Sequence, residues 1–280
     1  MNLSLNFSTC PNDTFMFYAL VHGLLTDKYS FEVYMADIEE LNHLALGGKP
    51  DITKISFGVY PMLFDQYQLL DSGSALGKGV GPLLISKKSI PLEQVKHMRI
   101  ALPGEHTTAH LLFNRAFPEA SDKRFYLFSQ IEQAILNNEV DVGVIIHESR
   151  FTYQSKGLIK LADLGEIWEG VSGLPTPLGG IAIRRSLPDS VKKEINRLMG
   201  NSVSFAFQHP DSTMGFVSQH AQELNLEVMR KHIDLYVNNF SLSLGNDGRK
   251  AIVQLLNSSR QVLHHFDENA IFVYEQHNPL

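Results

Sequence analysis

The sequence is poor in cysteine: Cys10 is the only one among 280 residues, which excludes an internal disulfide and any zinc site built on cysteines. It also lacks an excess of positive charge. Its 24 Lys and Arg residues are scattered and outnumbered by 30 Asp and Glu, and the net charge is −6, so no nucleic acid partner is expected. No stretch approaches the roughly 18 apolar residues that span a bilayer, so no membrane partner is expected either.

The N-terminus lacks the features of an export signal. Residues Met1–Phe7 alternate apolar and polar side chains, as a β-strand does, and they have neither a basic start nor an apolar run. The sequence therefore predicts a cytoplasmic protein. Its hydrophobic content of 44% and charged content of 19% are typical of an ordinary globular chain, and its length is sufficient for two lobes.

A weak internal repeat relates the first part of the chain to the next, and Asp51 of the first copy aligns with Asp141 of the second, 90 residues later. Each copy has the order strand, polar loop, helix, then amphipathic helix, turn, Asp and strand. The first copy has a strand at 3–7, a loop at 8–14, an amphipathic helix at 38–46 and a strand at 52–56. The second has a strand at 99–102, a loop at 103–108, an amphipathic helix at 131–136 and a strand that ends at 147.

This alternation predicts an α/β protein with mixed, mostly parallel sheets flanked by helices, arranged as two lobes with a ligand cleft between them. We place residues 1–87 and the helical tail 186–280 in lobe one, and residues 88–185 in lobe two. The glycines that precede Pro82 mark the first crossing between lobes, and a strand at 178–183 precedes the return. The sequence does not indicate an oligomeric state.

The segment Val140–Arg150 is the most informative part of the chain. Six of its first seven residues are apolar or Gly, which predicts a short strand buried on both faces and ending at His147. Ligands bind at the carboxyl ends of strands in open α/β sheets, and an imidazole there can move a proton near neutral pH. We predict that His147 is a general base or acid; a purely structural histidine is the alternative. The residues after His147 lack the second histidine of a zinc-protease helix, so no metal is predicted.

Two further segments are candidates for substrate binding. Thr107 precedes a predicted helix that begins near Ala109, and the free N–H groups of a helix N-terminus bind carboxylates. A cap that only stabilises its own helix is the alternative, and both can hold. In the first lobe Lys54, Ile55 and Ser56 end the equivalent strand, with Lys54 and Ser56 on one side of it. A solvated lysine and a turn serine would explain the same pattern.

The polar loop at 8–14 precedes a helix, where Asp13 or Thr14 is a candidate cap and Asn12 can present its amide to the cleft. Cys10 has no cation beside it in the sequence, so a nucleophilic role is not expected. Gly77, Gly79 and Gly81 match neither a phosphate-binding loop nor a dinucleotide fingerprint, so no nucleotide cofactor is predicted.

Several longer runs resemble the 1,4-dihydroxy-6-naphthoate synthases of the futalosine route to menaquinone. These runs are CPNDTF at 10–15, YALVHG at 18–23, GKGVGPL at 77–83, IIHESRFTY at 145–153, YVN at 236–238 and FS at 240–241. The resemblance covers nearly the whole chain. It implies a type II periplasmic-binding-protein-like fold, in agreement with the two lobes expected above.

The resemblance also implies a reaction: cyclic dehypoxanthinyl futalosine, a carboxylate, is converted to 1,4-dihydroxy-6-naphthoate by a lyase that needs no cofactor. His147 would be the proton acceptor. Substrate contacts would come from Lys54, Ile55, Ser56, Thr108 and Ala109, with Ile55 and Ala109 acting through backbone or packing. We add Thr107 to these contacts from its position at the helix N-terminus. Two alternatives stay open, a chorismate dehydratase of the same pathway and a solute-binding protein without chemistry.

Overall fold

The computed structural model describes residues 1–221, 225–258 and 267–273. The strands are β1 (Asn2–Phe7), β2 (Ser30–Met35), β3 (Ile52–Ser56), β4 (Tyr67–Leu69), β5 (Ala75–Gly77), β6 (Leu83–Ser86), β7 (Ile100–Leu102), β8 (Lys123–Phe125), β9 (Val142–Ile145), β10 (Ile159–Asp163) and β11 (Thr176–Arg184). The helices are α1 (Pro11–Val21), α2 (Ile38–Leu46), α3 (Tyr60–Leu63), α4 (Thr108–Ala116), α5 (Ile131–Leu136), α6 (Ser149–Thr152), α7 (Leu164–Ser172), α8 (Asp189–Gln208), α9 (Pro210–His220), α10 (Leu226–Tyr236), α11 (Asn239–Leu242), α12 (Gly245–Asn257) and α13 (Glu268–Ile271).

The strands form two mixed sheets. The first has the order β2-β1-β3-β11-β4, with β5 also paired to β11, and the second has the order β10-β6-β9-β7-β8. In the first sheet β1 is parallel to β2 and β3, while β11 is antiparallel to β3. In the second sheet β7 is parallel to β8 and β9, while β6 is antiparallel to β9. The two sheets therefore repeat one arrangement of four strands.

The internal repeat predicted from the sequence is confirmed by matching contacts of its two aspartates. Asp51 precedes β3, and its Oδ2 accepts hydrogen bonds from Ser4 N and Oγ at 3.0 and 3.1 Å. Asp141 precedes β9, and its Oδ2 accepts from Arg99 N at 2.9 Å. In each sheet the carboxylate thus joins the starts of two neighbouring parallel strands and satisfies a backbone donor there.

The expected boundaries after residues 87 and 185 do not follow the sheets. Strand β6, placed in lobe one from the sequence, pairs with β9 and β10 in the second sheet. Strand β11, placed in lobe two, pairs with β3, β4 and β5 in the first. The chain therefore passes from the first sheet to the second before β6 and returns to the first before β11. Both crossings come earlier in the chain than expected. The assignment of residue ranges to the two lobes remains our proposal.

Apolar side chains cover both faces of both sheets. One cluster lies between the first sheet and helices α1, α8, α9 and α10, and another lies between the second sheet and α5. The largest cluster is shared by the two sheets, so the two halves pack closely. Within the described ranges, no helix combines the length and the apolar character needed to cross a membrane.

Candidate active site

A pocket lies where the carboxyl ends of β1, β3, β7 and β9 face each other across the two halves. It encloses about 650 Å³, part of it open to solvent, a size typical of small-molecule sites. All seven residues predicted for the site line it: Lys54, Ile55, Ser56, Thr107, Thr108, Ala109 and His147. Further lining residues are Ser8, Asn12, Asp13, Ile38, Ala75, Val80, Pro82, Ile146, Leu178, Gly179, His232 and Tyr236.

His147 follows β9 in a left-handed backbone conformation, with φ of +56°. Few residues other than glycine adopt this conformation, and it recurs at functional sites that the surrounding structure holds in place. Here the turn directs the half-buried imidazole into the pocket. The ring packs against Phe128 with centroids 4.6 Å apart, and its Nδ1 lies 3.2 Å from Cys10 Sγ.

The surroundings of His147 lower its pKa to about 4, mainly because removal from water disfavours the charged imidazolium. Asp13 opposes this shift and Lys54 adds to it. His147 is therefore neutral at physiological pH. A neutral imidazole has a lone pair, so it can accept a proton from a bound molecule.

Cys10 contacts His147 but is not an activated nucleophile. Burial raises the pKa of the Cys10 thiol well above its ordinary value, and the nearby carboxylates of Glu148 and Asp13 raise it further. The thiolate that nucleophilic chemistry requires is thus disfavoured, in line with the sequence-based expectation. The contact instead holds one edge of the His147 ring.

Among the described residues, there are two clusters that each contain three side chains able to bind a metal ion. Donor atoms of Cys10, His147 and Glu148 all lie within 4.8 Å of one another. The same holds for Glu39, His43 and His106. A single cysteine therefore excludes a zinc site built on several cysteines but not one built on a mixed set of donors.

Lys54 forms a buried ion pair with Asp13, and its Nζ lies 2.8 Å from Asp13 Oδ1. The other oxygen, Oδ2, accepts from Ser8 Oγ at 2.7 Å, and Asn12 Nδ2 donates to Oδ1 at 2.9 Å. The first turn of α1 therefore neutralises the lysine on β3. Lys54 lines the pocket as one member of a pair and not as an isolated cation.

Ser56 is held by Asn42 of α2, a residue that the sequence did not single out. Its backbone N–H donates to Asn42 Oδ1 at 3.0 Å, and Asn42 Nδ2 donates to Ser56 Oγ at 3.3 Å. On the opposite strand, Gly179 leaves room for the end of β3. A Cβ at this position would lie 2.6 Å from Ile55 O, too close for any side chain.

The N-terminus of α4 faces the pocket as the sequence predicted. Thr107 is the N-cap, and its Oγ1 accepts from His110 N at 3.2 Å. The N–H groups of Thr108 and Ala109 come earlier in the first turn, where no intrahelical acceptor exists. Two such amides, with the positive end of the helix dipole, are able to attract a carboxylate.

The hydroxyl of Thr108 links the two halves. It accepts from Gly58 N at 3.0 Å and donates to Leu178 O at 2.5 Å. Gly58 permits this approach, since a Cβ there would lie 2.7 Å from Thr107 O. The Thr108 side chain thus joins backbone segments beside the pocket, and its amide is the group left for a ligand.

The fold and the pocket define a class of protein: type II periplasmic-binding-protein-like, with two α/β units that face each other across a ligand site. The aliphatic sulphonate binding protein of Escherichia coli shares this fold, with a TM-score of 0.65 at 13% identity over 96% of this chain and 91% of its own. A crystal structure of an Archaeoglobus fulgidus protein is more similar, with a TM-score of 0.87 at 34% identity over 92% of this chain and 96% of its own.

Sequence comparison then identifies the family. The profile of the menaquinone biosynthesis family matches residues 3–261, and the chain belongs to that family. A 1,4-dihydroxy-6-naphthoate synthase of Thermus thermophilus is 42% identical over 253 residues, 90% of this chain and 92% of the relative. The enzyme of the same name from Streptomyces coelicolor is 40% identical over 259 residues, 91% of each chain.

Proposed function

We propose that this chain is a 1,4-dihydroxy-6-naphthoate synthase, which converts cyclic dehypoxanthinyl futalosine to 1,4-dihydroxy-6-naphthoate and releases the sugar-derived fragment. The relatives of that name, at 40 and 42% identity over about nine tenths of the chain, support the assignment. The observation that carries the chemistry is a neutral imidazole, His147, directed into a ligand-sized pocket.

His147 acts as the general base in this proposal. Carbon atoms of the substrate must lose protons before the second ring becomes aromatic, and a positioned base accelerates such transfers. The neutral state of His147 supports this role, as do its neighbours Cys10, Phe128 and His232, none of which is a carboxylate. Cys10 Sγ lies 3.2 Å from Nδ1, so Nε2 is the ring nitrogen left to accept the proton in this proposal.

The substrate carboxylate binds at the N-terminus of α4 in this proposal. Lys54 contributes little net charge because Asp13 neutralises it, so the amides of Thr108 and Ala109 are the better receiver. Ser56 and the Lys54 ammonium then contact hydroxyl groups from the first half. This arrangement orients the ring system between the two halves, with His147 beside the atoms that lose protons.

We further propose that the reaction is a lyase reaction that needs no cofactor. Bond cleavage that ends in an aromatic ring is driven by the stability of that ring, so proton transfer and leaving-group departure account for the change without net oxidation. Closure of the two halves around the substrate would exclude water from the pocket and strengthen hydrogen bonds to the developing charge.

The decisive experiment incubates the purified chain separately with cyclic dehypoxanthinyl futalosine and with chorismate, and identifies the products by chromatography and mass spectrometry. We expect 1,4-dihydroxy-6-naphthoate from the first substrate and no change in the second. Dehydration of chorismate would instead indicate a chorismate dehydratase. Binding of either compound without turnover would support a solute-binding protein.

Two histidine variants test the base. We expect His147→Asn to lose turnover by a factor of about 10² to 10⁴, the usual contribution of a general base, while substrate binding is largely retained. His97→Asn is the matched control, because His97 is exposed and does not line the pocket. Unimpaired catalysis by the His147 variant would exclude it as the base.

A further inference from the structure

A second histidine, His232, lies in the same pocket but takes no part in the chemistry described above. It is on α10, in the C-terminal part of the chain, and only 1% of its surface is exposed. Its ring is nearly parallel to that of His147, with centroids 6.1 Å apart and an interplanar angle of 6°. The two imidazoles therefore approach the pocket side by side from different halves of the molecule.

Hydrogen bonding fixes which nitrogen of His232 bears the proton. The carboxylate of Asp13, paired with Lys54, can only accept, so the amide nitrogen of Asn12 must donate to it, as the 2.9 Å contact indicates. The amide oxygen of Asn12 then faces His232 Nε2 at 2.9 Å and must accept from it. Nε2 is consequently the protonated nitrogen, and Nδ1 is left with a lone pair.

Among the described residues, nothing donates a hydrogen bond to this lone pair. Within the described part of the chain, His232 Nδ1 is a buried acceptor without a hydrogen-bond donor. Burial lowers the pKa of His232 well below its ordinary value, and the proximity of His147 and of the Lys54 ammonium lowers it further, so the ring stays neutral. A buried acceptor without a donor is costly, and native proteins rarely leave one unless a ligand or an ordered water completes it.

We propose that His232 is a second substrate-contacting imidazole, whose Nδ1 accepts a hydrogen bond from a hydroxyl group of the ligand. The ligand class is a polyhydroxylated carboxylate, with its hydroxylated part against α10 and the group that loses a proton against His147. The inference rests on the proposed function and deepens it. His232 would select for a donor at one position of the substrate, and Asn12 would hold its tautomer.

Two substitutions separate this role from a structural one, because Asn and Gln place their polar atoms at different distances from the backbone. Gln carries them where Nε2 lies, so His232→Gln keeps the bond to Asn12 and removes the acceptor at Nδ1. Asn carries them where Nδ1 lies, so His232→Asn keeps an acceptor for the ligand and loses the bond to Asn12.

We expect His232→Gln to raise KM about three- to tenfold, the effect of one lost hydrogen bond, with a smaller change in kcat and a wild-type unfolding midpoint. His232→Asn should unfold at a lower denaturant concentration yet change KM less. The proposal is overturned by an unchanged KM in His232→Gln, or by KM effects in both variants that follow only their loss of stability.

The same comparison in an inactive background measures binding directly. Calorimetry compares the dissociation constant of cyclic dehypoxanthinyl futalosine for His147→Asn with that for His147→Asn/His232→Gln. A three- to tenfold weaker constant in the double variant is expected, and equal constants would overturn the proposal. A wild-type protein that makes no naphthoate product refutes the proposed function instead, so the two failures are distinguishable.

Discussion

The pH dependence of turnover follows from the environment of His147. A general base must be unprotonated to act, so kcat/KM rises with pH through the pKa of the base in the free enzyme and then levels off. Removal from water lowers the pKa of His147 to about 4, whereas an imidazole in water titrates near about 6.5. The pH at which kcat/KM begins to fall on the acid side therefore shows whether the His147 ring is buried in the pocket.

The two cases differ most near pH 5.5. A base with a pKa of about 4 is about 97% unprotonated at that pH, while a base with the ordinary value of about 6.5 is only about 9% unprotonated. We expect kcat/KM near pH 5.5 to stay close to its value near pH 7.5. A solvent-exposed base would give a fall of about tenfold over the same range.

The assay measures initial rates of naphthoate formation by chromatography at constant ionic strength, from about pH 4 to about pH 8. Circular dichroism at each pH checks that the protein remains folded, and His147→Asn gives the background rate. A tenfold loss of kcat/KM between pH 7.5 and pH 5.5 in folded protein would refute the reasoning, either because His147 is not the base or because it titrates normally.

Three further predictions concern stability and binding. His147→Gly should be more stable than His147→Ala by about 1 kcal/mol in urea unfolding, although both lack turnover, because only glycine adopts a φ of +56° without strain; equal stabilities would contradict this. Asp13→Asn leaves the Lys54 ammonium buried without a counter-ion and should lower the free energy of unfolding by about 3–5 kcal/mol; Lys54→Met in the same chain should restore part of it in a double-mutant cycle. Ser56→Ala should raise KM more than it lowers kcat, as loss of uniform binding does. Thr108→Val should do the same because it removes the hydroxyl that joins Gly58 N and Leu178 O and so displaces the amide beside it; Thr108→Ser, which keeps the hydroxyl, is the control, and an unchanged KM would remove that residue from the site.

The parts of the fold that the sequence predicts well are those with a regular apolar pattern. Helices α2 and α5 and strand β3 have the predicted bounds, because their buried residues recur at the helical or strand spacing. Edge strands were missed: β2 is largely exposed and β8 has only three residues. The helical tail begins with α8, which runs unbroken past Gly200 because its buried face continues through Met199, Ser202 and Val203.

The site was predicted only in part. Strand ends and a helix N-terminus are local features, so the residues around 54–56, 107–109 and His147 were recognisable. The Lys54–Asp13 pair joins residues 41 positions apart, and no local pattern reveals such a contact. His232 did leave a signal: it occupies a position in the apolar stripe of α10, with Met229, Ile233 and Tyr236, where a polar residue is unusual.

The position of β11 sets an order for the formation of the two sheets during synthesis. All strands of the second sheet lie between residues 83 and 163, so that sheet has its full set of strands before the chain reaches β11 at 176–184. The first sheet begins at β1 but stays incomplete until β11 is synthesised. Until then, the facing edges of β3 and β4 have no strand between them. A nascent chain halted between these points would expose those edges to other chains, and the half that emerges first from the ribosome is the half that finishes last.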